Sequence, residues 1–184
     1  MTDPIKLIGN VASPYTRKMV AYLRYKRIPY EVIWGQPEDI LLSMNIEAPK
    51  PILLPVFILD RDGQATAVTD STPLIREFED KYPDRSVLPN NPALNFINFV
   101  LEDFGDEWCT KFMFHYRWHF DEDADNAGTI LPLGINSNLK DDELAFFKEH
   151  FAKRQIDRLW VVGSNNDTAE SVSYTHLTLP TRRF

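Results

Sequence analysis

The sequence predicts an α/β domain built on a mixed four-stranded sheet, followed by an all-helical region. Three observations carry this. Strand-like and helix-like runs alternate through the first 82 residues. The last two strand-like runs are joined by Asp62-Gly63, a two-residue hairpin signal that makes part of the sheet antiparallel. Beyond Pro92 the apolar residues recur only at three and four, the helical spacing.

Ile5–Ile8 (IKLI) is a short apolar run ahead of Gly9-Asn10 and reads as a buried strand. Ser13-Pro14 opens a helix, with serine as the N-cap and proline at the first helical position. Met19, Val20, Leu23 and Arg24 follow at helical spacing. Lys26 and Arg27 complement the dipole in the last turn, and Pro29 ends the helix. Tyr30–Trp34 alternates as a second strand, and Pro37–Met44 reads as a short helix or a loop. Leu53–Leu59 is strand-like but carries Pro55, which has no amide proton for a central ladder. Ala65–Thr69 is the return strand of the hairpin. Asp70-Ser71 then starts a helix to about Lys81, with Leu74, Ile75 and Phe78 on one face and Pro83 beyond its end.

The domain expected at residues 1–82 is followed by a linker at 83–91, within which Ser86–Pro92 (SVLPNNP) has linker character, and by helices from 92 to 170. A first long helix is expected over Ala93–Phe120, with Leu94, Ile97, Leu101, Phe104, Trp108, Phe112, His115 and His119 along its apolar stripe. The acidic run Asp121–Asp125 reads as its solvated end. Gly128–Asn136, with Pro132 and Gly134, reads as a loop. Asp141–Val162 reads as a second amphipathic helix with Leu144, Phe147, Phe151 and Ile156 apolar, capped by Gly163. Ser171–Thr181 (SVSYTHLTLPT) resembles a translated sequencing-library adapter, so 171–184 is expected to be non-native and the helical domain incomplete.

With 43% of its 184 residues hydrophobic and 12% aromatic, the chain has the material for a packed core, which excludes a disordered chain. Its single cysteine, Cys109, excludes a disulfide framework and predicts a reducing, cytoplasmic setting; amid apolar residues in mid-helix it is expected to be a buried, inert thiol. The net charge of -7 argues against nucleic acid or an anionic membrane as partner. Met1–Pro4 has no signal-peptide character, and no apolar run approaches the roughly 18 residues of a membrane span.

Three places could carry chemistry. Ser13 stands between a strand and a helix, where unpaired amides and the helix dipole favour an anion such as a thiolate. Leu54-Pro55 breaks a strand where a cis peptide would explain the break, which would leave the Leu54 backbone to pair with a peptide-like ligand. Asp70-Ser71 at a helix start offers amides and a hydroxyl to a carboxylate, and a carboxylate to an ammonium group. Each has a plain structural reading on its own: a cap, an edge device, a second cap. Their order and topology together are far more specific.

Residues 5–82 resemble the N-terminal domain of the glutathione S-transferase superfamily, and residues 92–162 resemble the first helices of its all-α second domain. Ser13-Pro14-Tyr15-Thr16-Arg17-Lys18 is similar to the family's [S/C]-P-x-x-x-[R/K] helix start, Leu54-Pro55-Val56 to its cis-proline segment, and Asp70-Ser71 to its acidic-Ser pair. The resemblance implies a thioredoxin-like fold, glutathione as co-substrate with no bound cofactor or metal, a small electrophile as second substrate, and a homodimer. It implies that Ser13 contacts the glutathione sulfur and favours the thiolate, that Leu54 pairs with the cysteinyl backbone beside Pro55, and that Asp70 and Ser71 hold the γ-glutamyl end. Thr16 and Tyr15 are further candidate donors.

The sequence also departs from the family pattern. Many members have a lysine where this chain has Leu53, and Lys50 lies nearby at a different spacing. The second-domain signature, a Gly followed by Ser/Thr-x-x-Asp, is absent. These departures keep open a second function class, a non-catalytic interaction or assembly module. A glutaredoxin-like reductase is disfavoured because Ser13 occupies the position of the required cysteine. His115 and His119 have the i, i+4 spacing of zinc ligands, but no third ligand stands at a diagnostic distance, and they read as pocket-lining aromatics.

Overall fold

The computed structural model describes residues 3–172. These form two compact units: residues up to Asp103 together with Leu133–Asn138, and Phe104–Pro132 together with the residues from Leu139 onward. Most of the adapter-like tail lies outside the described residues.

The first unit is built on four strands: β1 (Ile5–Gly9), β2 (Tyr30–Trp34), β3 (Val56–Arg61) and β4 (Gln64–Val68). They lie in the order β2-β1-β3-β4, with β1 parallel to β2, and β3 antiparallel to both β1 and β4. Alternation sorts the central strands between two apolar layers. Ile5, Leu7, Phe57 and Leu59 face a core shared with Met19, Leu23, Leu74 and Phe78. Ile8 and Val56 face Leu41 on the other side. The four-stranded mixed sheet is thus the one the sequence predicts.

Helices α1 (Pro14–Lys26) and α3 (Ser71–Lys81) supply the first core, and α2 (Pro37–Ser43) contributes Leu41 to the second. Capping fixes their ends. Ser13 Oγ accepts from the Thr16 amide at 3.2 Å, and Arg27, in the left-handed region at φ 58, closes the C-terminus of α1. Asp62 and Gly63 both have positive φ, 55 and 82, which the two-residue hairpin turn requires. β3 starts at Val56 rather than Leu53: Pro55 brings no amide proton to the ladder, and pairing with β1 begins at Ile8↔Val56.

Under the C-terminal ends of α1 and α3 lies a buried ion pair. Lys26 Nζ meets Glu79 Oε1 at 2.9 Å and has no further acceptor among the described residues. Glu79 also accepts from the Tyr22 hydroxyl at 2.8 Å, the Val87 amide at 3.1 Å and the Ser86 hydroxyl. Burial pushes the Glu79 carboxyl up, but the hydrogen bonds from Ser86, Lys26 and Tyr22 outweigh it and hold the group below the usual carboxylate range.

The helical region differs from expectation in four ways. The long first helix is divided into α4 (Pro92–Asp103), a π-helical turn (Phe104–Trp108) and α5 (Cys109–Trp118). Cys109, directly after the turn, is exposed rather than a buried thiol. The apolar stripe is also exposed: Leu94, Ile97, Leu101, Phe104, Trp108 and Phe112 all stand in solvent, and α4 buries no residue.

The expected loop at Gly128–Asn136 is mostly helix, because α6 runs over Asp121–Ile135 with Pro132 inside it. Its small residues Ala124 and Ala127 pack with Trp118 and Leu159, and Phe151 and Ala152 lie against the same cluster. That packing overrides the breaker signals. The acidic residues Asp121–Asp123 consequently form the favourable first turn of α6. Finally, α7 (Asp141–Ile156) ends before a separate 3₁₀ turn (Leu159–Val162), which Gly163 caps at φ 70. The described residues close with α8 (Asp167–Val172).

Candidate functional site

The site assembles where β1 gives way to α1. The Asn10 carbonyl accepts from the Ser13 amide at 3.0 Å, and Asn10 Oδ1 accepts from the Ala12 amide at 2.8 Å, so buried Asn10 shapes the turn that presents Ser13. Gly9 lets the turn close: a Cβ there would stand 2.5 Å from Thr16 Cγ2. Thr16 is 1% exposed and its Oγ1 accepts from the Asn10 amide at 3.4 Å, so it supports the turn from inside. Ser13 is half-buried at the positive end of a 13-residue helix, where a developing anion is stabilised. Tyr15 is half-buried beside it.

The second component is the segment before β3. The Leu54–Pro55 peptide is cis, as the sequence suggests, and so is Lys50–Pro51. Pro55 is buried, Leu54 is half-buried and outside the ladder, and Leu53 and Lys50 are exposed.

The third component is the start of α3. Asp70, the N-cap, is exposed and accepts from the Thr72 amide at 3.3 Å. Its backbone sits at φ 81, ψ 116, a conformation that is costly for a residue with a Cβ and that concentrates at ligand sites. Ser71 follows, buried, its Oγ accepting from Lys18 Nζ at 3.2 Å. Lys18 lies two residues beyond Thr16 on α1, so this bond ties the first site helix to the second.

Sequence reasoning missed Glu102. This residue of α4 accepts from Lys18 Nζ at 2.9 Å and from the Thr72 hydroxyl at 3.1 Å, and Arg76 Nη2 stands 3.9 Å away. Burial pushes the Glu102 carboxyl up, but Lys18 and then Thr72 and Arg76 more than offset it and hold the group below the usual carboxylate range. Its only signal was an acidic pair, Glu102-Asp103, closing a mostly apolar helix.

Residues 7–86 match the family model described as glutathione S-transferase, N-terminal domain. Residues 7–86 are a glutathione S-transferase N-terminal domain. The chain carrying this domain has the superfamily's fold, a mixed four-stranded sheet followed by helices. It is similar to a glutathione S-transferase from Methylobacterium radiotolerans, solved in complex with glutathione sulfonate, at 21% identity and a TM-score of 0.51 over 86% of this chain. The chain spans 65% of the length of that relative. It is also similar to glutathione transferase Omega 1C from Trametes versicolor, at 11% identity and a TM-score of 0.51, over 92% of this chain and 91% of that one. No curated protein sequence matches the chain significantly.

A cavity of about 670 Å³ in the first unit lies at the far ends of α1 and α3. Lys26, Arg27, Lys81 and Arg85 line it. These basic side chains sit where two helix C-termini need them, remote from Ser13.

In the second unit His115 is buried, its ring stacked on His119 at 4.5 Å between centroids. Among the described residues neither His115 nitrogen has a hydrogen-bond partner of normal geometry. Burial first, and His119 next, push the His115 imidazole below its usual range, against the Ser164 backbone and Glu170. Among the described residues no group of three or more His, Cys, Asp or Glu could hold a metal ion, and no helix is long and apolar enough to cross a membrane.

Proposed function

We propose that this protein binds glutathione and promotes attack of its thiolate on a small electrophile. The observation that carries the reading is the conjunction, within one glutathione S-transferase N-terminal domain, of Ser13 at the start of α1, the cis Leu54–Pro55 peptide and the Asp70–Ser71 cap of α3. In this reading the Ser13 hydroxyl donates to the glutathione sulfur, and the helix dipole adds to the stabilisation of the thiolate. The Leu54 backbone pairs with the cysteinyl residue of the ligand. Ser71 donates to the γ-glutamyl carboxylate, and Asp70 accepts from its ammonium.

The thiolate then forms the new carbon–sulfur bond. The electrophile supplies the leaving group, or takes up a proton where the reaction is an addition. A cytoplasmic homodimer serving detoxification belongs to the same reading. So does the division into residues 1–82 and 92–170.

The second reading, a module of this fold that assembles without catalysis, is favoured by one observation. Leu53 is exposed beside the cis proline and offers no cation to the glycyl carboxylate. Calorimetric titration of glutathione into the folded chain separates the two. The first reading expects saturable binding that Asp70→Ala weakens, together with conjugation of a chromogenic electrophile that Ser13→Ala reduces roughly 10- to 1,000-fold. A folded chain with no measurable heat of binding supports the module.

A further inference from the structure

We infer that Glu102 is a positioning residue for the ligand's γ-glutamyl carboxylate, acting from α4 through Lys18 and Thr72. The inference rests on the glutathione reading above and adds to it a residue outside the family-matched segment.

The geometry is a three-helix junction at the start of α3. Lys18 Nζ of α1 donates to Ser71 Oγ at 3.2 Å and to Glu102 Oε1 at 2.9 Å. The Thr72 hydroxyl of α3 donates to the same Glu102 oxygen at 3.1 Å. The side chains of Glu102 and Lys18 are 16% and 23% exposed, so this ion pair is partly desolvated and less screened than a surface pair.

A hydroxyl carries one proton and two lone pairs. With Ser71 Oγ accepting from a cation, its proton is turned away from Lys18 and polarised, which makes it a stronger donor to an incoming carboxylate. Thr72 already spends its proton on Glu102, so it does not compete for the ligand at that oxygen. Glu102 therefore holds the ammonium that sets the direction of the Ser71 proton, while touching no ligand itself. Without the carboxylate, Lys18 loses the charge-assisted bond that aims its ammonium at the start of α3, and the Ser71 proton is less firmly oriented.

The test is glutathione titration of the full chain in five forms: wild type, Glu102→Ala, Lys18→Met, the double variant, and Glu102→Gln. Loss of an orienting charge-assisted hydrogen bond predicts a Kd raised about tenfold by Glu102→Ala and by Lys18→Met. The double variant should be little worse than either single one, because both act through one unit. Glu102→Gln keeps an acceptor for Lys18 and Thr72 and should recover most of the affinity. Glu77→Ala breaks the exposed ion pair between α3 and Arg61 of β3 and should leave Kd unchanged.

A purely structural role for Glu102 would lower the melting temperature and leave Kd where it was. That result, or additive losses in the double variant, overturns the inference. If Glu102→Ala does not fold, Lys18→Met and Glu102→Gln decide the matter by the same criterion. A folded wild type that binds no glutathione overturns the glutathione reading itself and, with it, the assignment of a ligand to this junction.

Discussion

Asp70 carries two burdens at once: it caps α3 and it holds φ at 81. A glycine at 70 loses the cap but removes the Cβ that makes this conformation costly, whereas an alanine loses the cap and keeps the strain. Asp70→Gly should therefore be more stable than Asp70→Ala by about 1 kcal/mol. Urea denaturation of the two variants checks the order, and an alanine variant at least as stable would show that the backbone is not strained.

Glu79 gives a pH prediction at the same scale. Its carboxyl titrates below the usual range in the folded chain, so it contributes stability above the unfolded value of about 4.3, and that contribution is lost as pH falls through the folded value. Glu79→Ala removes that dependence and leaves Lys26 buried without its counter-ion, at a cost of about 3–5 kcal/mol. His115 works in the same direction from the second unit. Its depressed titration means that stability is complete above about 6.5 and declines below it, as the unfolded chain takes up a proton the folded chain resists. His115→Phe should flatten stability between pH 5 and about 6.5, and an unchanged slope in chemical denaturation would exclude His115 as its source.

Among the elements, the β1–α1 turn shows how local rules and packing combine. Ser13-Pro14 specifies the helix start by capping alone, and that much was legible in the sequence. The reason for Gly9 was not, because the Thr16 methyl that fills its Cβ space comes from the first turn of α1, beyond the loop. Gly9→Ala should destabilise the chain by about 1–3 kcal/mol by forcing buried Thr16 aside, and thermal melting of Gly9→Ala beside Thr16→Ser, which removes the clashing methyl, tests that cause.

Where periodicity misled, packing was the reason. Gly128 and Pro132 read as loop signals, yet Gly128 lies inside α6 because a Cβ there would meet Lys148 Cγ of α7 at 3.0 Å. A glycine that breaks a helix and a glycine that lets two helices approach are identical in sequence. The π-helical turn at Phe104–Trp108 likewise left no local mark beyond Gly105, and Cys109 directly after it is exposed.

For the molecule as a whole, α4 is the unresolved surface. Leu94, Phe96, Ile97, Phe99, Val100 and Leu101 are all exposed on one short helix, a larger apolar area than solvent-facing helices carry singly. The proposed homodimer would cover part of it. Sedimentation velocity should find a dimer for the wild type and a shift toward monomer for Phe96→Glu with Val100→Glu. A wild type that sediments as a monomer at micromolar concentration removes the dimer from the proposal.

The sequence by itself determined the order of strands and helices in the first domain, the hairpin, the caps and the three segments of the candidate site. Each of these follows from interactions within a few residues: a serine bonding an amide three positions on, a turn needing two positive φ values, a proline without an amide proton. Tertiary structure decided the rest. Only packing joins Lys18, Ser71 and Glu102, separated by 53 and 84 residues from Lys18 along the chain, into one junction. Only packing turns a glycine-proline segment into helix. Neighbours distant in sequence set those environments, and no pattern along the chain records which side chains they bring together.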